Sequence, residues 1–175
     1  WVPAGKWVPI GTKENPFQGK YNGNSYKIFN LTIDLPEMDA VGLFGYTENS
    51  VLKNIIIEKI NIVGNKDVGG LVGLNIGEIT ECVVEGEISG SGNIGGLVGW
   101  NDRTIQGCKA MVNILASGSK IGGLVGWNWN NGKIKNCIAT GKVTGGFDVG
   151  GLIGESRNEI SDSKAEGDIE GIAFV

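Results

Sequence analysis

From Cys82 the chain alternates apolar and polar positions, with Cys82, Val84, Gly86 and Ile88 on one face and Glu85 and Glu87 on the other. A period of two is that of a half-buried β-strand. The same phase returns with Cys108, Ala110 and Ile114, with Cys137, Ala139 and Val143, and with Ser163, Ala165 and Ile169. Three residues before each Cys or Ser stands an isoleucine: Ile79, Ile105, Ile134 and Ile160. Upstream of each lies a glycine-bounded pentapeptide that reads as a second short strand: Val41-Gly-Leu-Phe-Gly45, Gly69-Gly-Leu-Val-Gly73, Gly95-Gly-Leu-Val-Gly99, Gly122-Gly-Leu-Val-Gly126 and Gly150-Gly-Leu-Ile-Gly154. A helix would need apolar spacings of three and four, and each interior glycine would cost it about 1 kcal/mol. The pattern predicts strands throughout.

The pentapeptide leucines, Leu43, Leu71, Leu97, Leu124 and Leu152, fall at intervals of 28, 26, 27 and 28 residues. A near-constant period with short strands in fixed phase is the signature of a stacked repeat. The expected fold is an all-β, right-handed parallel β-helix, with about one coil per 26–28 residues over residues 41–175. Equivalent residues then stack about 4.8 Å apart. The Leu and Cys columns become apolar ladders, and Asn75, Asn101 and Asn128, which share one phase, can form an amide ladder at a corner. Residues 1–40 do not show the repeat and carry most of the aromatics, in Trp7-Val-Pro-Ile-Gly11, Pro16-Phe-Gln-Gly19 and Tyr21 to Ile33. An aromatic-rich cap or first coil suits a solenoid's exposed end. One column resists the alternation: Val72, Val98, Val125 and Ile153 are always apolar, yet fall on the face assigned to solvent. Either the strand kinks at the paired glycines or an outer apolar stripe awaits cover.

Composition narrows the chemistry. Glycine, at 31 of 175 residues, is about 18% against a usual ~7%, but its periodicity ties it to recurring turns and not to a linker. The net charge is −4, with no basic block, which disfavours nucleic-acid binding. No apolar run approaches the ~18 residues of a membrane span. Histidine is absent, which excludes the His-Glu-x-x-His zinc-peptidase motif and His-activated nucleophiles. Asp67 and Asp148 share a phase but lie three coils apart, about 14 Å at one rung per 4.8 Å, beyond the ~5–9.5 Å of glycosidase carboxylate pairs. No catalytic residue, cofactor or metal site is expected. Cys82, Cys108 and Cys137 recur at repeat spacing and read as buried, reduced, stacked thiols; a disulfide between adjacent coils is the alternative.

The best candidate for recognition is aromatic. The position after the pentapeptide reads Tyr46, Leu74, Trp100, Trp127 and Glu155, and this variability argues that it faces outward. Trp100 and Trp127 would stand on adjacent rungs, with Trp129 nearby in a two-residue expansion and Asn101 and Asn128 beside them. Such a group could stack on sugar rings and hydrogen-bond their hydroxyls. The alternative is that these Trp side chains cover apolar neighbours or face another part of a longer protein.

The unit Val-Gly-Gly-Leu-Val-Gly-x-Asn…Ile-x-x-Cys-x-Ala-x-Gly-x-Val resembles the GLUG motif, and the segment from Trp7 to Ile33 resembles the leader of GLUG arrays. The departures are Ser163 in the Cys column and Val112 at a Gly position. The resemblance implies exported bacterial or archaeal proteins, either large adhesin-like surface proteins or the non-catalytic regions of secreted peptidases such as the IgA-cleaving metallopeptidases. Together with ends at Trp1 and Val175 that read as cuts in a longer chain, it leads to the expectation of a non-catalytic, extracellular segment of a cell-surface adhesin. Its partners would be a protein or glycan on a host or neighbouring cell, and other domains of the parent protein. The alternative is a carbohydrate-binding or accessory module of a larger secreted peptidase or glycosidase.

Overall fold

A computed structural model describes residues 7–171, which form a β-solenoid of about six turns with roughly 27 residues per turn and no helix among the described residues. All the strand pairings between coils are parallel and join equivalent positions. Val98, Trp100 and Asn101 pair with Val72, Leu74 and Asn75 on one side and with Val125, Trp127 and Asn128 on the other. The sequence period is therefore one turn.

Three stacks of strands line the coil. A four-stranded stack holds Lys66–Gly69, Gly92–Gly95, Ser119–Gly122 and Phe147–Gly150. The strands after the paired glycines, such as Val98–Asn101, lie in a nine-stranded sheet with the isoleucine strands, such as Thr104–Gln106. The alternating strands, Ile56–Val63, Val83–Gly90 and Lys109–Ala116 among them, form a second nine-stranded sheet. Their inward residues, including Ile57, Val84, Ala110 and Ala139, merge with the Leu and Ile columns into one buried core.

The apolar column that broke the alternation is explained by a kink. Val72, Val98 and Val125 are as fully buried as Leu71, Leu97 and Leu124. Leu71 and Val72 both donate their N–H to the Leu97 carbonyl, at 3.0 and 3.2 Å, and the next two coils repeat this with Leu124 and Leu152 as acceptors. Two successive N–H groups aimed at one oxygen interrupt the strand's alternation, so both side chains turn inward. The first glycine of each pair permits the bend: a Cβ at Gly69, Gly95, Gly122 or Gly150 would run into the carbonyl oxygen of Val72, Val98, Val125 or Ile153 respectively.

Polar groups close the other corners. Asn75 Nδ2 donates to Asn101 Oδ1 at 2.8 Å, and Asn101 Nδ2 to Asn128 Oδ1 at 2.9 Å. Thr47 begins the ladder by donating to Asn75 Oδ1, and Ser156 ends it by accepting from Asn128. Each amide also turns the chain locally: Asn101 Nδ2 donates to the Arg103 carbonyl at 2.6 Å while Arg103 N donates to Asn101 Oδ1. The Cys column works in a related way. Cys82, Cys108 and Cys137 donate to the carbonyls of Thr80, Gln106 and Lys135, two residues back, and Ser163 does the same to Ser161. Between donor and acceptor sits a residue at positive φ: Glu81, Gly107, Asn136 or Asp162. A small side chain with one donor meets this need, so Ser163 is an equivalent of cysteine and not a defect.

Residues 10–40 share the coil although not its sequence. Ile10 bridges to Phe44, and Gly45 N donates to the Ile10 carbonyl, which places Pro9-Ile10-Gly11 in the pentapeptide phase. Lys20–Asn22 pairs with Phe44–Lys53, while Lys27–Phe29 and Thr32–Asp34 pair with Ile56–Val63. Ile10 and Phe44 are 34 positions apart, an interval too long for the periodicity to reveal.

Two outcomes test these corners. Asn101→Ala leaves neighbouring buried amide groups unpaired, at about 1–3 kcal/mol for each group; thermal melting should fall sharply, whereas an exposed change such as Asn61→Ala should leave it nearly unchanged. The three cysteines are free and buried, and hydrogen bonding to Cys137 and Cys82 together with burial pushes the Cys108 thiol well above its ordinary range. Thiol titration should count none in the native chain and three after unfolding.

Candidate contact surface

The outward column after the pentapeptide is built by the register of the strands. Trp100 and Trp127, from Val98–Asn101 and Val125–Asn128, are paired rung to rung and half-buried. Their rings meet edge to face, with centroids 6.3 Å apart at 80°. The two-residue expansion brings Trp129 to 4.7 Å from Trp127 at 65°. That loop is pinned from both sides: Trp129 N donates to the Asn101 carbonyl at 2.7 Å, and Asn158 Nδ2 donates to the Trp129 carbonyl at 2.9 Å.

Charged side chains cover the rings. Lys120 Nζ lies 4.7 Å from the Trp127 ring centroid and 2.9 Å from Glu155 Oε2. The Arg157 guanidinium lies 4.2 Å from the Trp129 ring, and its Nε is 3.3 Å from Glu155 Oε1. Glu155, which takes the column's place on the next rung, thus links the two cations. The hydrogen bond from Lys120, reinforced by Arg157, holds its carboxyl below the usual range. Cations over aromatic faces contribute about 0.5–1 kcal/mol each at exposed sites. Trp127 Nε1 is buried and meets no acceptor among the described residues.

The structure brings Trp100, Trp127 and Trp129 together but removes Asn101 and Asn128 from the candidate site. Both amides are fully buried and spend their donors and acceptors within the ladder. The alternation that sends Trp100 outward sends Asn101 inward, so they are corner residues and not ligand groups. Sequence reasoning also missed Lys120 and Arg157 as the covers of the cluster. The phase of Lys120, which it shares with Asp67, Asn93 and Asp148, was the available signal, but only the coil geometry brings it over a ring. Beside the cluster lies a polar groove of about 560 Å³, lined by Arg103, Thr104, Asn130, Asn131, Lys133, Asn158 and Glu159.

Comparison with known proteins accords with this geometry. The family model of the GLUG motif matches residues 64–89 and 117–144. The chain is a GLUG-motif repeat protein. The unmatched interval between these GLUG units has the same register as its neighbours, with Lys109–Ala116 paired along its whole length to Val83–Gly90. The chain is 36% identical over 92 residues, 51% of its length, to the protein named halomucin of Haloquadratum walsbyi. It is 37% identical over 83 residues, 45% of its length, to a Gly-rich membrane protein of Evansella cellulosilytica. These matches span only 1% and 10% of the two relatives. No solved structure matches the chain.

Packing and recognition roles for the Trp group separate by mutation. Trp127 touches Trp100, Trp129 and Lys120, so Trp127→Ala should cost about 2 kcal/mol, less than the ~3–5 kcal/mol of a fully buried aromatic, and lower the melting temperature by roughly 4–8 °C. Trp100→Ala, with fewer contacts, should cost less. Glycan-array binding measured on both variants completes the comparison: binding lost at unchanged stability assigns the side chain to recognition.

Proposed function

We propose that this GLUG chain is a non-catalytic, surface-associated segment that serves as a rigid scaffold and contact surface in adhesion. The observation that carries this reading is the parallel stacking of equivalent positions from coil to coil, with the Asn ladder running from Thr47 to Ser156. Such stacking makes a rod that grows by about 4.8 Å per repeat, so six turns reach about 29 Å, and it holds outward side chains in fixed rows. The names of the two relatives, one a halomucin and one a membrane protein, support a surface or extracellular location. A repeat that presents variable residues on a constant frame suits contact with a protein or glycan on another cell, since such arrays offer extended binding surfaces. The chain's lack of histidine favours a non-catalytic role.

Beads coated covalently with the purified chain should be retained on cells or on immobilised glycans, while uncoated beads wash off. The same preparation should release no product from polysaccharide or peptide substrates. Turnover by the purified chain overturns the non-catalytic reading, and retention no better than that of uncoated beads overturns the adhesive one.

A further inference from the structure

Each coil pairs a residue of the outward column with one held at positive φ where the coil begins. In one coil these are Trp127 and Lys120, the latter at φ 61, and the lysine reaches across to place its ammonium between the Trp127 ring and the Glu155 carboxylate. Three coils earlier the same two positions are Tyr46 and Ala40, at φ 56. Backbone bonds confirm the equivalence, since Ala40 and Val41 donate to the carbonyls of Lys66 and Asp67, the next residues of that column and its neighbour. Ala40 offers only a methyl group where Lys120 has a full side chain, and the space is open: a cavity of about 560 Å³ lined by Ala40, Tyr46, Leu74, Asp39, Asp67 and Glu14.

The charges around this cavity favour a cation. Three carboxylates, Glu14, Asp39 and Asp67, face one lysine, Lys13, and none of the four forms an ion pair among the described residues. Burial pushes the Asp67 carboxyl up even though Asn93 Nδ2 donates to it at 2.8 Å, and Asp39 adds repulsion against a weak opposing pull from Lys66. A partly desolvated carboxylate without a countercharge gains from an added cation, and an aromatic wall adds to that attraction.

We propose that this cavity binds a protonated alkylamine of the lysine type, with its ammonium between the Tyr46 ring and the Asp67 and Asp39 carboxylates. The chain itself shows the same chemistry, because Lys120 Nζ sits between an aromatic of the outward column, Trp127, and a carboxylate, Glu155; in the cavity the carboxylates come from neighbouring positions, since Leu74 holds the place of Glu155. Leu74 provides an apolar wall for the methylene chain.

The test titrates acetyl-Ala-Lys-Ala-amide into the ¹⁵N-labelled chain at low salt and follows the backbone amides of Ala40, Tyr46 and Asp67. Saturable shifts confined to these residues are expected, with affinity at least about tenfold lower, or ~1.4 kcal/mol, for the same peptide acetylated at the lysine Nζ. Ala40→Lys supplies the missing side chain at a backbone angle that Lys120 already tolerates, and should abolish the shifts while the remaining spectrum and the melting temperature stay intact. Asp67→Asn keeps a side chain that the equivalent Asn93 shows to be compatible with this corner, and should weaken binding several-fold. No saturable shift in the unmodified chain, equal affinity for the acetylated peptide, or undiminished binding in a folded Ala40→Lys variant overturns the site.

Discussion

A buried primary amide must satisfy two donors and an oxygen that accepts more than one bond, and in this chain only a polar side chain at the same position of a neighbouring coil completes the set. The backbone two residues on takes one Asn101 Nδ2 hydrogen and gives its N–H to Oδ1; the coil above and the coil below supply the rest. No single coil could bury such a corner alone. Cooperation between coils is thus built into the polar groups as firmly as into the Leu and Ile columns, and it imposes register: a slip of one residue would replace an amide by an apolar or charged side chain at a fully buried position.

The same logic governs the tight corners. Positive φ recurs before the Cys column, at Asn54, Glu81, Gly107, Asn136 and Asp162, and again before the pentapeptide strands. Asn, Asp and Gly reach this region at least cost, yet Glu81 and Lys120 occupy it too. The stacked neighbours over-determine the backbone there, so the coil dictates the conformation and the residue type is free to vary. That freedom is what the surface exploits. At the corner before the pentapeptide strands, alanine leaves a cavity, lysine covers a tryptophan, and asparagine or aspartate supplies a polar group, all on one unchanged frame.

The outward column shows how fixed spacing shapes a surface. Rungs hold Trp100 and Trp127 close enough for an edge-to-face contact, and Glu155 one rung further ties together the two cations over the rings. These exposed pairs are modest individually, but the frame holds Lys120, Trp127 and Glu155 on neighbouring strands. A cluster so self-satisfied is in part packing, which is why stability and binding have to be measured side by side.

Much of this was legible in the chain. The leucine intervals and the alternation after Cys82 determine parallel coils of one repeat each, because in-phase identity has a physical use only where equivalent residues stack. The shared phase of Asn75, Asn101 and Asn128 pointed to an amide ladder for the same reason. Other features depended on how the coil closes in space. Whether Val72 faces in or out turns on a kink in which two N–H groups share one carbonyl, and alternation cannot express that. The period does not distinguish a cap from a first coil before Val41, because the 34-residue interval from Ile10 to Phe44 breaks it while the hydrogen bonds preserve the path. Asn101 and Asn128, next to tryptophans in the sequence, are on the opposite side of the strand from them. Lys120 and Trp127, seven positions apart, touch because the chain bends at the paired glycines. The sequence determines which residues share a column; the corners, set by hydrogen bonds between neighbouring coils, decide which columns meet.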